Sequence, residues 1–408
     1  MSKNNTPKLR FPEFSDDWKN IYLKDLLSFK NGLNAPKEKY GNGIKFINVL
    51  DILENDFITY DIILDSVDAT EEQIKSYNVS YGDILFQRSS ETREEVGIVN
   101  VYLDKEKDCI FGGFVIRGKK LENYVPFFIK EALKTSNVRK DITSRSGGST
   151  RYNIGQNSLE NVMITVPIIE EQEKIANFLS KVDEKISLLE ENLKLWNSYK
   201  KGIMQQLFTQ KLRFKSANDE DFFDWKETKL EKIGQIITGT TPSTKNKKNY
   251  ENGTYLWVTP TDINKSKLIK HTDRKLSEEG MKNGRVIPKN SILVTCIASI
   301  GKNCILTEQG SCNQQINAIH PYKNYNIDFI YYLIDKNAEK LKQLAGITAT
   351  PILNKTTFSK MKFFFPSIEE QNKIANFLTE IDKKIDKIGI ELEKIQEFKK
   401  CLLQQMFC

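Results

Sequence analysis

At 408 residues the chain is too long for one ordinary core, and two or three domains are expected. Its 39% hydrophobic and 28% charged residues exclude a disordered chain, and no apolar run approaches the roughly eighteen residues that span a bilayer. A formal charge of +7 permits a polyanionic partner without requiring one. The opening MSKNNTPKLR carries no apolar signal stretch, so a cytoplasmic location is expected. Cys109, Cys296, Cys304, Cys312, Cys401 and Cys408 are therefore expected to be reduced thiols.

In chain order, residues 1–165 read as a first domain. LRFPEFSDDWKNIYLKDL (9–26) is followed by FINVLDI (46–52) and VSYGDILF (79–86), short β-rich runs between Gly, Asn and Ser turns. Residues 166–211 predict a long helix. Pro167 stands just ahead of it, and the apolar positions Ile175, Leu179, Val182, Ile186, Leu189, Leu193, Trp196, Ile203 and Leu207 step by four and three. That is the a/d stripe of a coiled coil, with Lys200 as its one polar interruption. Forty helical residues would reach about 60 Å.

Residues 212–364 read as a second domain that echoes the first. LRFKSANDEDFFDWKETKLEKI (212–233) resembles 9–26, with Trp225 matching Trp18. WVTPTDI (257–263) and IPKNSILV (287–294) echo the two β-rich runs, Gly239 and Pro242 echo Gly32 and Pro36, and AGITATPILNKTTFSKMKFFFP (345–366) echoes SGGSTRYNIGQNSLENVMITVP (146–167). The stretches between the echoes, 87–145 and 295–344, do not match. Residues 365–408 form a second long helix. A shift of 199 positions carries Pro167 onto Pro366 and holds without a gap to Phe208 and Phe407. Its stripe is Ile374, Leu378, Ile381, Ile385, Ile388, Leu392, Ile395, Leu402 and Met406, interrupted at Lys399. The narrow stripe gives each helix one partner surface, and the natural partner is the other copy. The fold class is thus α+β: two similar mixed domains, each followed by a long helix, the helices pairing antiparallel about a pseudo-two-fold.

Catalytic signals are weak. With only His271 and His320, histidine-based acid–base or nucleophilic chemistry is disfavoured. Cys304, Cys312 and His320 are spaced evenly at eight, which fits no CxxC pattern; thiols buried on strands are the plain reading, and no metal site is assigned. GFVIRGKK (113–120) nearly spells a phosphate loop but lacks the hydroxyl residue after lysine, and its interior reads as a strand. The adenine methyltransferase tetrapeptide and a GxGxxG loop are both missing, so any chemistry must come from partners.

Together these features resemble the specificity subunit of a type I restriction-modification system. The carriers are the paired P-x-I-E-E-Q-x-K-I-A-x-F-L segments at 167–179 and 366–378, and the Gly/Thr-bearing loops ahead of them at 147–151 and 346–350. Gly239-Thr240-Thr241-Pro242-Ser243 and Trp257-Val258 belong to the same signature, whereas Asn34-Ala35-Pro36 departs from the family's Thr-Pro-Ser. The resemblance covers essentially the whole chain. It implies two target recognition domains on an antiparallel helix pair, an asymmetric bipartite site in double-stranded DNA, and docking of two methyltransferase subunits and, through them, restriction/translocase subunits. S-adenosylmethionine, ATP and Mg are then expected on those partners and none on this chain, which would be a non-catalytic recognition subunit. The helix overlap would act as a ruler between readers sitting about one DNA turn, roughly 34 Å, or a multiple apart.

Phosphate contacts need Lys, Arg, Ser, Thr or backbone amides, and base readout needs forked donors. The candidates in the first domain are Arg88, Ser89, Arg93, Arg145, Ser149 and Arg151. In the second they are Lys245, Lys247, Lys248, Lys302, Asn303, Asn313 and Gln314. Each such run is more often a plain solvated turn. Two competing readings are a coiled-coil interaction scaffold that reads no DNA, and a self-sufficient modification enzyme, against which the missing motifs count.

Overall fold

The computed structural model describes residues 6–263, 266–345 and 351–407. These divide into two compact units, Met1–Glu190 with Glu391–Cys408, and Glu191–Ile390. Each unit therefore takes one mixed domain, the start of the helix that follows it, and the end of the other long helix.

In the first unit a four-stranded antiparallel sheet runs in the order Leu27–Asn31, Val115–Lys120, Ile84–Gln87, Val99–Val101. A three-stranded sheet, Ser66–Val67, Tyr40–Ile47 and Ile110–Phe111, covers a second small core around Phe46 and Val67. The strands are short, and fully buried runs such as Ile84–Gln87 explain why the β pattern reads as continuous rather than alternating. The second unit repeats the plan with five strands in the order Gly234–Thr238, Ile316–Pro321, Ser291–Thr295, Asn303–Leu306, Leu268–Ile269. Its three-stranded sheet is Lys275–Leu276, Tyr255–Val258, Gly310–Cys312.

Each domain opens and closes on one ribbon. Lys19–Tyr22 pairs antiparallel with Met163–Val166, and Lys226–Lys229 with Lys362–Phe365. Two residues beyond, the chain enters a long helix, Ile169–Phe208 or Ile368–Met406.

The repeated helical signature can be resolved residue by residue. Glu171 and Glu370 are fully buried and take bidentate bonds from Arg10 (2.8 and 2.8 Å) and Arg213 (3.1 and 2.9 Å). Gln172 donates to the Pro167 carbonyl and accepts the Val125 amide; Gln371 does the same with Pro366 and Asn326. Phe178 and Phe377 meet Phe11 and Phe214 edge-on. The Leu-Arg-Phe triplets at 9–11 and 212–214 are thus the clasps that fix each domain to the helix that follows it.

Within each unit the two helices pack antiparallel, the start of one against the end of the other. In the first unit Ile175, Leu179, Val182 and Ile186 share a core with Ile395, Leu402 and Met406, and Leu189 is also buried. In the second, Ile374, Leu378, Ile381 and Ile385 share one with Trp196, Ile203 and Leu207; Ile388 is buried, and Leu193 and Leu392 are half-buried in their respective units. The same aromatic triad closes each core: Phe407 stacks on Phe128 at 5.2 Å beside Trp18, and Phe208 lies 5.4 Å from Phe329 beside Trp225.

The unmatched stretches 87–145 and 295–344 hold equivalent elements despite their sequences. The bonds from Val125 to Gln172 and from Asn326 to Gln371 align helix Pro126–Lys134 with helix Ile327–Lys336. Cys304 and Cys312 lie on strands in an apolar core, where burial pushes the Cys304 thiol up to about 12. His320 sits 3.2 Å from Ser291 through Nδ1, and among the described residues no three metal-ligating side chains gather. Residues 115–120 of the near-phosphate-loop segment are a strand.

Candidate nucleic-acid interface

In the first domain the two candidate loops form one surface. Strand Ser89–Ser90 pairs with Tyr152–Asn153, Ser89 Oγ bonds Asn153 Oδ1, and the Ile154 amide donates to the Arg88 carbonyl. Arg93 reaches across to the carbonyls of Thr143 (3.2 Å) and Ser144 (3.4 Å). Arg88 donates to the Gly113 carbonyl at 3.2 Å, and Arg145 is paired with Asp141 at 2.8 Å. Ser149 and Arg151 are exposed at the tip of the second loop, whose turn needs Gly148 at φ +132°, where a Cβ would meet the Arg151 carbonyl.

The second domain rebuilds this edge. Ile297 bridges to Ile352 and the Leu353 amide donates to the Cys296 carbonyl, each the counterpart of a first-domain contact 199 residues earlier on the 352–353 side. In both domains a glycine with positive φ ends the first loop and donates to the residue at its start, Gly97 to Gln87 and Gly301 to Thr295. Between these anchors lie nine residues, 88–96, in one domain and five, 296–300, in the other. The first loop carries Arg88, Ser89 and Arg93; the second is Cys-Ile-Ala-Ser-Ile.

Lys302 is exposed immediately after the short loop, and Asn303 begins the strand behind it with Oδ1 buried and unpartnered. Gln314 is exposed and bonds Thr241 at 2.5 Å, drawing the Gly-Thr-Thr-Pro-Ser loop to the same region. Asn313 is different. It is buried, and its side chain is consumed by Gln315 within its own turn, so it is not presented to a ligand. Lys245, Lys247 and Lys248 are exposed on a separate turn beside helix Glu278–Asn283, tied there by Asn246 to Glu279 and Ser277 to the Lys248 carbonyl. The segment 346–350 lies outside the described residues.

Sequence reasoning missed Arg139. Its guanidinium donates to three carbonyls of the first loop, Gly97 (2.5 Å), Val96 (2.7 Å) and Glu94 (2.8 Å), and so holds that loop's exit. Burial lowers its pKa, yet it stays a cation at any working pH. Arg139→Met should raise amide exchange at Gly97 and Ile98 about tenfold or more, with strand Ile84–Gln87 still protected. Unchanged exchange in a mass-spectrometric time course would mean the loop holds itself.

The family described as "Type I restriction modification DNA specificity domain" matches residues 15–195 and 223–397. The chain belongs to this family. It is 26% identical over 419 aligned residues to the protein assigned as the type I restriction enzyme MjaX specificity subunit of Methanocaldococcus jannaschii, covering 98% of this chain and 95% of that one. It is 33% identical over 187 residues to the type I restriction enzyme HindI specificity subunit of Haemophilus influenzae, covering 45% and 40%. The crystal structure of the type I restriction-modification S subunit from M. genitalium superposes with a TM-score of 0.62 at 18% identity, covering 99% of each chain, and shows the shared fold. As a specificity-family member the chain serves DNA sequence specificity, and each matched segment covers one of the two mixed domains together with much of the long helix that follows it. Among the described residues no helix is long and apolar enough to cross a membrane.

Proposed function

We propose that the two domains read two different half-sites of an asymmetric bipartite target in double-stranded DNA. The observation that carries this reading is the pair of loops, nine residues and five, held between equivalent anchors. One scaffold with two unlike loops is what independent readers require, because scaffold contacts to phosphate position a protein and loop contacts to base edges specify. Arg88, Ser89, Arg93, Arg145, Ser149 and Arg151 serve the first half-site. Lys302, Asn303 and Gln314 serve the second, and Lys245, Lys247 and Lys248 supply phosphate contacts beside it.

In this reading the chain works in the cytoplasm as the recognition component of a complex. Two methyltransferase subunits dock on it and bring restriction/translocase subunits, and those partners hold S-adenosylmethionine, ATP and Mg. Gel shift of the purified chain, or of its complex, on duplex DNA tests the reading, together with methylation-site sequencing of cells that carry the complete system. Expected are a duplex-dependent shift, a bipartite methylated motif with two unlike halves, and no methyl incorporation by the chain alone. A single continuous motif, a palindrome, or incorporation that survives repurification would end it.

A further inference from the structure

Lys200 and Lys399, the two interruptions of the apolar seam, are each held by an aspartate of the other helix. Lys399 lies 2.5 Å from Asp183 Oδ1 in the first unit, and Lys200 lies 2.6 Å from Asp382 Oδ1 in the second. Both pairs are largely buried, and both partners of one are the partners of the other shifted by 199.

From the second of these pairs a polar network runs outward into its domain. In the second unit the Tyr332 hydroxyl donates to Asp382 Oδ2 at 2.6 Å. Lys267 Nζ then reaches the Tyr332 oxygen (3.1 Å), Thr379 Oγ1 (2.9 Å) and Asp328 Oδ1 (2.7 Å). Its own carbonyl accepts the Ile305 amide, inside the five-stranded sheet. In the first unit the position equivalent to Tyr332 is Glu131, and among the described residues no hydrogen bond joins it to the helix pair: its Oε1 is buried without a hydrogen-bond partner, as is Asp183 Oδ2, the counterpart of the atom that Tyr332 reaches. Lys130 Nζ lies 2.9 Å from Glu131 Oε1 and donates to the Asp56 carbonyl at 2.7 Å, with both side chains 1% exposed.

The Lys130 and Lys267 contacts end at the same place in the fold. Asp51 and Asp262 accept the amides of Asn48 and Thr259, each at 2.7 Å, in equivalent turns, and Asp56 and Lys267 each follow five residues later. In one domain the lysine reaches out from the helix to a carbonyl; in the other it reaches in from the strand. Among the described residues only the second domain has a hydrogen-bonded path from this place to its helix pair. Apolar contacts are non-directional and tolerate sliding, whereas charge-assisted hydrogen bonds fix direction and buried polar groups at a helix seam fix register.

We propose that this network is an orientation strut, in which Lys267 and Tyr332 are positioning residues that set the attitude of the second domain on its helix pair. They act through that attitude on whether the loops meet their bases, so the proposal rests on the DNA-reading function above. The test uses the full chain in its assembled complex and three duplexes: the target obtained by methylation-site sequencing, and the same target with either half-site scrambled. Wild type must lose affinity with each scramble; if it does not, the two-reader function itself fails. Lys267→Met should lower discrimination at the second half-site about tenfold and leave the first within about twofold. Tyr332→Phe, which removes one oxygen atom and serves if Lys267→Met fails to assemble, should do the same. The double variant should be no worse than either single one. Full discrimination in the second-domain variants, equal loss at both half-sites, or additive losses in the double variant overturns the proposal.

Discussion

Replacing residues 88–96 with the five-residue Cys-Ile-Ala-Ser-Ile loop of the second domain should change the first half-site and leave the second as it was. The anchors make the exchange feasible. Gln87 and Gly97 occupy the places of Thr295 and Gly301, with the same amide-to-carbonyl closure across the loop. Shortening a closed loop by four residues changes its closure entropy by well under 1 kcal/mol. What is lost is Arg88 and Arg93, and each forked base contact is worth about 1–3 kcal/mol, roughly tenfold to a hundredfold in discrimination. Methylation-site sequencing reads both halves at once. If both half-sites changed, or neither did, the loops would not be the readers.

The second large effect is on stability. Arg10→Met leaves Glu171 buried without the guanidinium that holds both its oxygens, which should cost about 3–5 kcal/mol. For a unit of this size that lowers the unfolding midpoint on the order of 10 °C. Arg213→Met should cost less, because Trp225 Nε1 also donates to Glu370 Oε2 at 3.2 Å. Trp18 Nε1, the first-domain counterpart, is buried with no partner and gives Glu171 no such support. Thermal unfolding of the two variants checks this; no shift in either would show that the arginine clasp does not secure the helix starts, and equal shifts or the reverse order would show that Trp225 gives Glu370 no support.

The long helices and the duplication were legible because a 3.6-residue period and a repeat of 199 both survive in one dimension. Every a/d position named from the sequence is buried or half-buried in its own unit. Lys200 and Lys399 read only as interruptions, since nothing local announces that Asp183 and Asp382 stand across the seam from them. The equivalence of Pro126–Lys134 with Ile327–Lys336 was likewise hidden. It rests on a glutamine bond and an aromatic triad, so Glu131 and Tyr332 can occupy one position without any likeness. Among the loop candidates, exposure could be guessed from composition, but not that Asn313 is consumed by its neighbour Gln315. Arg139 was invisible for the same reason: three carbonyls of a distant loop leave no mark in the sequence.

The closing ribbons have a consequence for how such a chain can change. Lys19 faces Val166 and Lys226 faces Phe365 across adjacent strands, so 140 residues (23–162) in one domain and 132 (230–361) in the other leave and return through a doorway about 5 Å wide. Topologically, each domain is an insertion whose two ends are already neighbours. A foreign fold with similarly close ends can replace everything between the ribbons if it renews the contacts that reach the helices: the glutamine bond and the aromatic contact in both domains, and the Tyr332 and Lys267 bonds to Asp382 and Thr379 in the second. New specificities can then arise by transplant of whole cassettes rather than by gradual mutation, and the junctions to cut for such a transplant are Tyr22/Met163 and Lys229/Lys362.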